Sequence, residues 1–150
     1  MTVSAYSLAE RFIGTTETPG VASNPLVLAM LRLDAQWPSG DDVPWCSAFT
    51  NFVAWLLRLP RSKSLAARSW LMVGTPIQLH DATAGFDVVV LKRGKGPQPG
   101  ADVLDAPGHV GLFAGVEGKH VLVLGGNQGD RVSIERFPIT SILGLRRLAV

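Results

Sequence analysis

Cysteine, histidine and asparagine are the residue types that a thiol-based acyl-transfer site combines, and this chain offers all three. Cys46 is its only cysteine. It follows Pro44 and precedes a long apolar run, a pattern that places it in the first turn of a helix. Backbone N–H groups left free at a helix start carry partial positive charge and favour a thiolate over a thiol. We therefore hypothesise that Cys46 is a nucleophile to which the rest of the chain presents a base.

Three histidines could supply that base. His80 is followed by Asp81 in a polar turn and is most simply a surface residue. His109 opens a predicted strand directly after a loop rich in glycine and proline, so we expect it at one end of a sheet. His120 lies beside a predicted hairpin turn.

Antiparallel pairing separates His109 from His120. If the hairpin turn is centred near Glu117 or Gly118, the residue opposite His109 is roughly Gly126. His120 then lies about 20 Å from His109 along the strand. The pairing therefore predicts His109 as the base.

A third group must hold the imidazole ring, and Asn127 falls within one residue of the position opposite His109. Its side-chain oxygen can accept from one ring N–H, which fixes the tautomer and leaves the other nitrogen for the thiol. Gln128 is the alternative, because a one-residue shift in register would exchange the two. The backbone N–H of Cys46 is the expected donor to an oxyanion.

Residues around the cysteine could contact a substrate. Asp41 and Asp42 fit solvated helix caps, or contacts to a substrate amine. Trp45 fits the core, as do Trp55 and Trp70, but its place beside the nucleophile would also let it line a cleft. We predict Asp42, Trp45 and Gln128 as substrate-binding residues.

The hydrophobic period changes halfway along the chain. Helices are predicted over residues 4–13, 26–33, 45–59 and 65–73, and strands over 86–91, 109–114, 120–124, 132–137 and 142–148. A loop over 92–108 separates the first two strands; its basic residues fit a solvated surface or a contact to an anionic polymer. Helices followed by an antiparallel meander predict an α+β fold, here as a single domain over 1–150.

Bulk properties exclude several classes of protein. The chain has 150 residues, 47% of them hydrophobic and 17% charged, which is typical of a globular domain. A net charge of +2 without a basic stripe argues against nucleic acid as a partner. No apolar run is long enough for a membrane span, and residues 1–13 do not have the pattern of a signal peptide. A single cysteine excludes an internal disulfide and a cysteine-based zinc site.

Five short motifs resemble one group of proteins. They are Asp-Val-Pro-Trp-Cys-Ser-Ala-Phe at 42–49, Ala-Arg-Ser-Trp-Leu at 67–71, Phe-Asp-Val-Val-Val-Leu at 86–91, Gly-His-Val-Gly-Leu-Phe at 108–113 and Gly-Gly-Asn-Gln at 125–128. In this order they resemble the CHAP-like and NlpC-type cysteine peptidases of bacteria and phages, in particular a single-domain phage and prophage subgroup. The similarity runs from about residue 9 to residue 147.

The resemblance implies a papain-like α+β fold, with the cysteine at the start of a central helix that packs on the sheet. It implies cleavage of amide bonds in peptidoglycan, as in a phage endolysin, with Cys46 as nucleophile, His109 as base and Asn127 as third member. Many CHAP enzymes carry an acid near that third position, where this chain has Asn127 and Gln128. No metal or other cofactor is expected, and the protein is expected to act as a monomer. Made in the cytoplasm without a signal peptide, it would reach the wall by holin-type or other non-classical release.

Two other readings share the same fold. One is a non-catalytic wall-binding or virion component, which would bind walls without releasing soluble fragments. The other is an acyl- or amide-transferring enzyme, which would form product only when an acceptor amine is present.

Overall fold

A computed structural model describes residues 2–17, 24–35 and 44–150 of the chain. The α-helices are α1 (Ala5–Ala9), α2 (Pro25–Leu31) and α3 (Cys46–Leu56). The strands are β1 (Thr75–Ile77), β2 (Asp87–Lys92), β3 (Gly108–Glu117), β4 (His120–Gly125), β5 (Ser133–Pro138) and β6 (Ile142–Arg147). Helices precede the sheet along the chain, so the predicted α+β class is confirmed. None of the helices described combines the length and apolarity that a membrane crossing would require.

Local capping explains where the first two helices begin. Ser4 and Ser7 form a reciprocal capping box at the start of α1, and a 3₁₀ turn, Glu10–Phe12, continues the helix. Asn24 accepts a hydrogen bond from the N–H of Leu26 at 2.9 Å and so caps α2.

The six strands form one antiparallel sheet in the order β1-β6-β2-β3-β4-β5. Strand β2 lies inside the sheet and is buried on both faces. Val88 and Val90 belong to the core shared with the helices, whereas Val89 and Leu91 belong to a second core on the opposite face. This alternation explains why β2 reads as an uninterrupted apolar run.

The hairpin between β3 and β4 has a shorter turn than the sequence suggested. Glu117 pairs with His120, and the register shifts between Phe113 and Gly115. A tight turn with this irregularity moves the pairing by one to two positions from the predicted register. His120 still lies at the hairpin end, away from His109 at the start of β3, as predicted.

Helix α3 ends at Leu56, three residues before the predicted end of the helix at residue 59. The N–H of Arg58 donates to the carbonyl of Trp55 at 3.1 Å, and that of Leu59 to the carbonyl of Ala54 at 2.9 Å. These two bonds form a Schellman motif with Arg58 at φ 55°, the left-handed position that glycine usually occupies. The helix therefore closes through its own backbone.

Two polar residues on one face of α3, Ser47 and Asn51, are buried. Ser47 donates to the carbonyl of Ser64 and accepts from the indole Nε1 of Trp70 at 3.0 Å. Asn51 accepts from the N–H of Lys63 at 2.9 Å and donates to the carbonyl of Ser64 at 3.1 Å. Ser47 and Asn51 therefore anchor the chain that follows α3 onto the helix that carries Cys46.

The helix predicted over 65–73 is a 3₁₀ helix, Ala67–Met72, that contains a fully buried arginine. The Arg68 guanidinium donates to the carbonyls of Pro99, Gly100, Val103 and Pro107 at 2.7–3.0 Å. Backbone carbonyls therefore satisfy the buried cation, and the cation in turn holds the loop between β2 and β3 in place.

We expect Arg68→Met to lower the free energy of unfolding by about 3 kcal/mol, because it leaves several carbonyls without their donor. Urea denaturation would measure the loss. Arg136→Met is the matched control, since Arg136 pairs with Glu117 at the surface at 3.5 Å and should contribute under about 1 kcal/mol. Equal effects of the two substitutions would contradict the role of Arg68.

Candidate active site

Cys46 is the first residue of α3, as the sequence predicted. The residue is 3% exposed, but it lies on the wall of a cavity of about 380 Å³ that Pro44, Ala66 and Pro107 also line. The first intrahelical bond, from the N–H of Phe49, leaves the N–H of Cys46 without a helical partner. The sulfur therefore lies beside a cavity and next to free backbone donors.

His109, the second residue of β3, lies close enough to Cys46 for the two side chains to shift each other's pKa. Its ring stacks on Phe137 of β5, with centroids 5.2 Å apart and planes 30° apart. The structure thus brings together the two residues that the sequence analysis predicted as nucleophile and base. His80 is exposed and near Asp81, as expected of a surface residue.

Gln128 holds the other side of the imidazole. Its Oε1 lies 2.8 Å from Nε2 of His109. Its Nε2 donates to the carbonyls of Val123 and Ser133 at 3.1 and 2.9 Å. Since carbonyls only accept, the NH₂ group must face them and the oxygen must face the ring.

That orientation determines the tautomer of His109. An oxygen facing Nε2 requires a proton on Nε2, so neutral His109 keeps an unprotonated Nδ1. Nδ1 is then the nitrogen available to take the thiol proton of Cys46. Gln128 supplies the orienting bond that the sequence analysis assigned first to Asn127.

Asn127 shows why the predicted third position was one residue off. It adopts φ 57°, a left-handed conformation that turns the chain just after β4. Among the described residues no hydrogen bond joins Asn127 to His109, although both line one cavity. The turn brings Gln128 back across the sheet end, where a Cβ at Gly125 would lie 2.6 Å from its Oε1. Gly125 therefore provides the space for the Gln128–His109 contact.

Trp45 does not line the cleft, contrary to one prediction. It is fully buried, and its indole Nε1 donates to Oε1 of Glu17 at 2.7 Å. Gly126 packs so closely on it that an added Cβ would lie 2.8 Å from the Trp45 ring. Trp45 therefore fixes the start of α3 against the turn that carries Gln128. Asp42, the other predicted substrate contact near the cysteine, lies outside the described residues.

Burial raises the pKa of the Cys46 thiol, but this effect is outweighed. The hydrogen bond and the positive charge of His109 lower the pKa, as do the backbone N–H of Val110 and the charge of Arg93, so that the net pKa lies below its ordinary value. Burial and the Arg93 charge lower the pKa of His109. The hydrogen bond and charge of Cys46, with the Gln128 bond, raise it above its ordinary value. The site therefore favours a thiolate–imidazolium pair.

This pairing predicts the pH dependence of alkylation. Because the Cys46 pKa is lowered, iodoacetamide should react at pH 6 at a substantial fraction of its rate at pH 9. In His109→Gln the thiolate loses its cation, so the pH 6 to pH 9 rate ratio should fall about tenfold or more. The ratio removes the effect of limited access to the sulfur. A native rate that rises only near pH 8.5, as for an ordinary thiol, would contradict the pairing.

Two cavities flank the reacting pair. One, of about 380 Å³, contains Cys46 in its wall, and the other, of about 480 Å³, contains His109. Arg93 lines both, whereas Arg136 and Glu135 line only the His109 side. An extended substrate could therefore cross the pair with Arg93 beside it. In the described part of the chain, no three or more His, Cys, Asp or Glu side chains form a group that could hold a metal ion.

Sequence reasoning missed two contributors to this site. Arg68 was recorded only inside a motif, although it holds the loop that brings Pro107 to the Cys46 cavity. Gly125 and Gly126 were noted only as part of the Gly-Gly-Asn-Gln motif, yet both glycines permit close approaches at the site. Consecutive glycines immediately before a polar pair were the available signal.

The helices, the six-stranded antiparallel sheet and the cysteine at the start of α3 define a papain-like fold of the NlpC type. A solved structure described as "Structure of NlpC1 from Trichomonas vaginalis" matches with a TM-score of 0.55 at 17% identity. The match covers 96% of this chain and 42% of that chain, so the present chain spans less than half of its neighbour. No protein-family model and no curated protein matches the sequence.

Proposed function

We propose that this protein is a cysteine peptidase or amidase that cleaves amide bonds of the peptidoglycan stem peptide. The observation that carries the proposal is the contact of Cys46 with His109, whose tautomer Gln128 fixes, between two open cavities. The NlpC-type fold supports it, because the sequence motifs that resemble NlpC-type cysteine peptidases imply Cys46 as nucleophile and His109 as base.

In the proposed mechanism the Cys46 thiolate attacks the carbonyl carbon of the scissile amide. The backbone N–H of Cys46 donates to the oxyanion that forms. Imidazolium His109 gives its proton to the leaving amine, which departs as the C–N bond breaks. Neutral His109 then takes a proton from water, whose oxygen attacks the acyl-enzyme and releases the free acid and Cys46. Gln128 keeps Nε2 protonated and Nδ1 facing the sulfur throughout.

The sequence motifs and the cleft support a wall substrate. Arg93, which lines both cavities, and Lys92 on the His109 side place positive charge along a groove open enough for a peptide. Arg136 on the same side is paired with Glu117, and Glu135 is acidic. Peptidoglycan stem peptides carry carboxylates that such a groove would attract. We further propose that it is a phage or prophage lytic enzyme and that it works as a monomer.

Digestion of purified peptidoglycan tests the proposal. We expect soluble fragments with new amino groups, and mass spectrometry of the muropeptides would identify the cleaved bond. Wall binding without fragments would instead indicate a non-catalytic wall-binding or virion component. Product that appears only with an added acceptor amine would indicate a transferase. Either result would overturn the hydrolase assignment.

A further inference from the structure

A second groove lies at the opposite end of α3 from Cys46. Its volume is about 880 Å³, and its lining includes Trp55, Arg58, Arg61, Lys63 and Met72. We call it the basic groove. Because α3 rises about 1.5 Å per residue, its two ends are about 15 Å apart, and neither flanking cavity of the reacting pair shares a residue with this groove.

Large apolar side chains are exposed in the basic groove. Trp55 is 48% exposed and Met72 is 73% exposed. The sequence analysis placed Trp55 in the core, but its indole stacks on Phe52 and leaves part of its surface in the groove. An exposed indole offers a flat face on which sugar rings or other planar groups can pack.

The charge of the basic groove has one sign. Arg61 pairs with Asp34. Arg58 and Lys63 have no acidic partner among the described residues, and no acidic side chain lines the groove there. The groove therefore complements an anionic ligand.

Both unpaired cations occupy backbone positions that favour glycine. Arg58 has φ 55° at the Schellman position, and Lys63 has φ 57°. A side chain in this conformation is disfavoured relative to glycine, since its Cβ approaches the backbone. Two basic side chains thus face one groove from positions where stability alone would select glycine, which is the pattern of strain at a binding site.

We propose that the basic groove binds an anionic glycan strand of the bacterial wall, with sugar rings against Trp55. Arg58 and Lys63 would contact the free carboxylates of sugar units that carry no peptide. The choice of the wall as polymer rests on the proposed function; the anionic character of the ligand does not. The groove would hold the polymer while the Cys46 site acts on an attached peptide.

Sedimentation with purified peptidoglycan tests this, using Cys46→Ala protein so that the wall is not consumed. We expect Trp55→Ala and the double variant Arg58→Gly/Lys63→Gly to weaken binding about tenfold or more. Glycine at these two positions should leave Tm level or raise it by up to about 4 °C. Weaker binding without loss of stability would separate a ligand contact from a structural role. Lys119→Gly, which removes one positive charge in the β3–β4 turn, should change binding less than twofold.

Unchanged binding by the double variant, or an equal loss in Lys119→Gly, would overturn the proposal. Walls stripped of phosphate polymers should bind equally well; loss of binding after stripping would show that the glycan strand is not the ligand. Hydrolysis of a short soluble wall peptide by the protein with Cys46 intact reports separately on the proposed function. The two proposals can therefore fail independently.

Discussion

Cys46→Ala is expected to release no soluble fragments and no new amino groups from purified peptidoglycan, a loss of at least about 10³-fold in rate. The Cys46 side chain is the nucleophile that lies beside His109, so alanine removes the bond-forming atom. The cavity beside Cys46 would change by only one sulfur. Binding to walls should therefore persist in the variant, and turbidity and amino-group assays would measure the loss of hydrolysis.

Cys46→Ser is the matched variant, because it keeps a hydroxyl of similar size at the start of α3. Its alcohol is too weak an acid for His109 to hold it as an anion, so we expect almost the same loss as with alanine. Wall degradation by purified Cys46→Ala at more than a few per cent of the native rate would rule out the thiol mechanism. Tm measurements on both variants would show that the fold is intact.

Gln128→Leu is expected to lower kcat/KM about 100-fold, because the buried Nε2–H of His109 loses its acceptor and the ring loses its fixed tautomer. Asn127→Gly should change kcat/KM less than fivefold. Glycine suits φ 57° at position 127, and no described hydrogen bond runs from Asn127 to the ring. The comparison tests directly which of the two neighbouring residues orients the base.

The pH–rate profile separates positioning from general damage. The hydrogen bond that His109 donates to Gln128 helps to raise the pKa of His109. Loss of this bond should therefore move the alkaline limb of the profile to lower pH. Gln128→Glu should not rescue activity, since a carboxylate cannot donate to the carbonyls of Val123 and Ser133. A larger loss in Asn127→Gly than in Gln128→Leu would restore Asn127 as the third member.

The hydrophobic periodicity of the sequence was sufficient to predict the α+β architecture. The apolar run of β2 reads as a buried strand because both of its faces are covered, and the capping residues Ser4 and Asn24 mark two helix starts. Helix ends were harder to place. Arg58 closes α3 through a backbone motif that usually requires glycine, so no residue type in the sequence signalled it.

The reacting pair was predictable because it depends on coarse features. Cys46 at the start of a helix and His109 at the start of a strand are still predicted to lie close together if the predicted register is wrong by one residue. The orienting residue depends on finer features, namely the length of the β3–β4 turn and the left-handed turn at Asn127. Sequence patterns constrain both only to within a residue, which is the difference between Asn127 and Gln128.

Side-chain burial was the least predictable property. Trp45 and Trp55 have the same residue type and lie at the two ends of α3, yet Trp45 is fully buried and Trp55 is half exposed. Arg68 is fully buried, although arginine is a residue type that usually lies at the protein surface. In each case the outcome depends on distant chain segments, such as Glu17 for Trp45 and the 99–107 loop for Arg68.

The pKa of the Cys46 thiol is lowered by residues from the second half of the chain. His109, Val110 and Arg93 all come much later in the sequence than the cysteine whose pKa they lower. In a nascent or partly folded chain these residues are not yet beside Cys46, so its thiol has an ordinary pKa. The pKa is lowered only when the sheet has packed on α3. Formation of the low-pKa thiol at Cys46 therefore depends on completed folding of the chain.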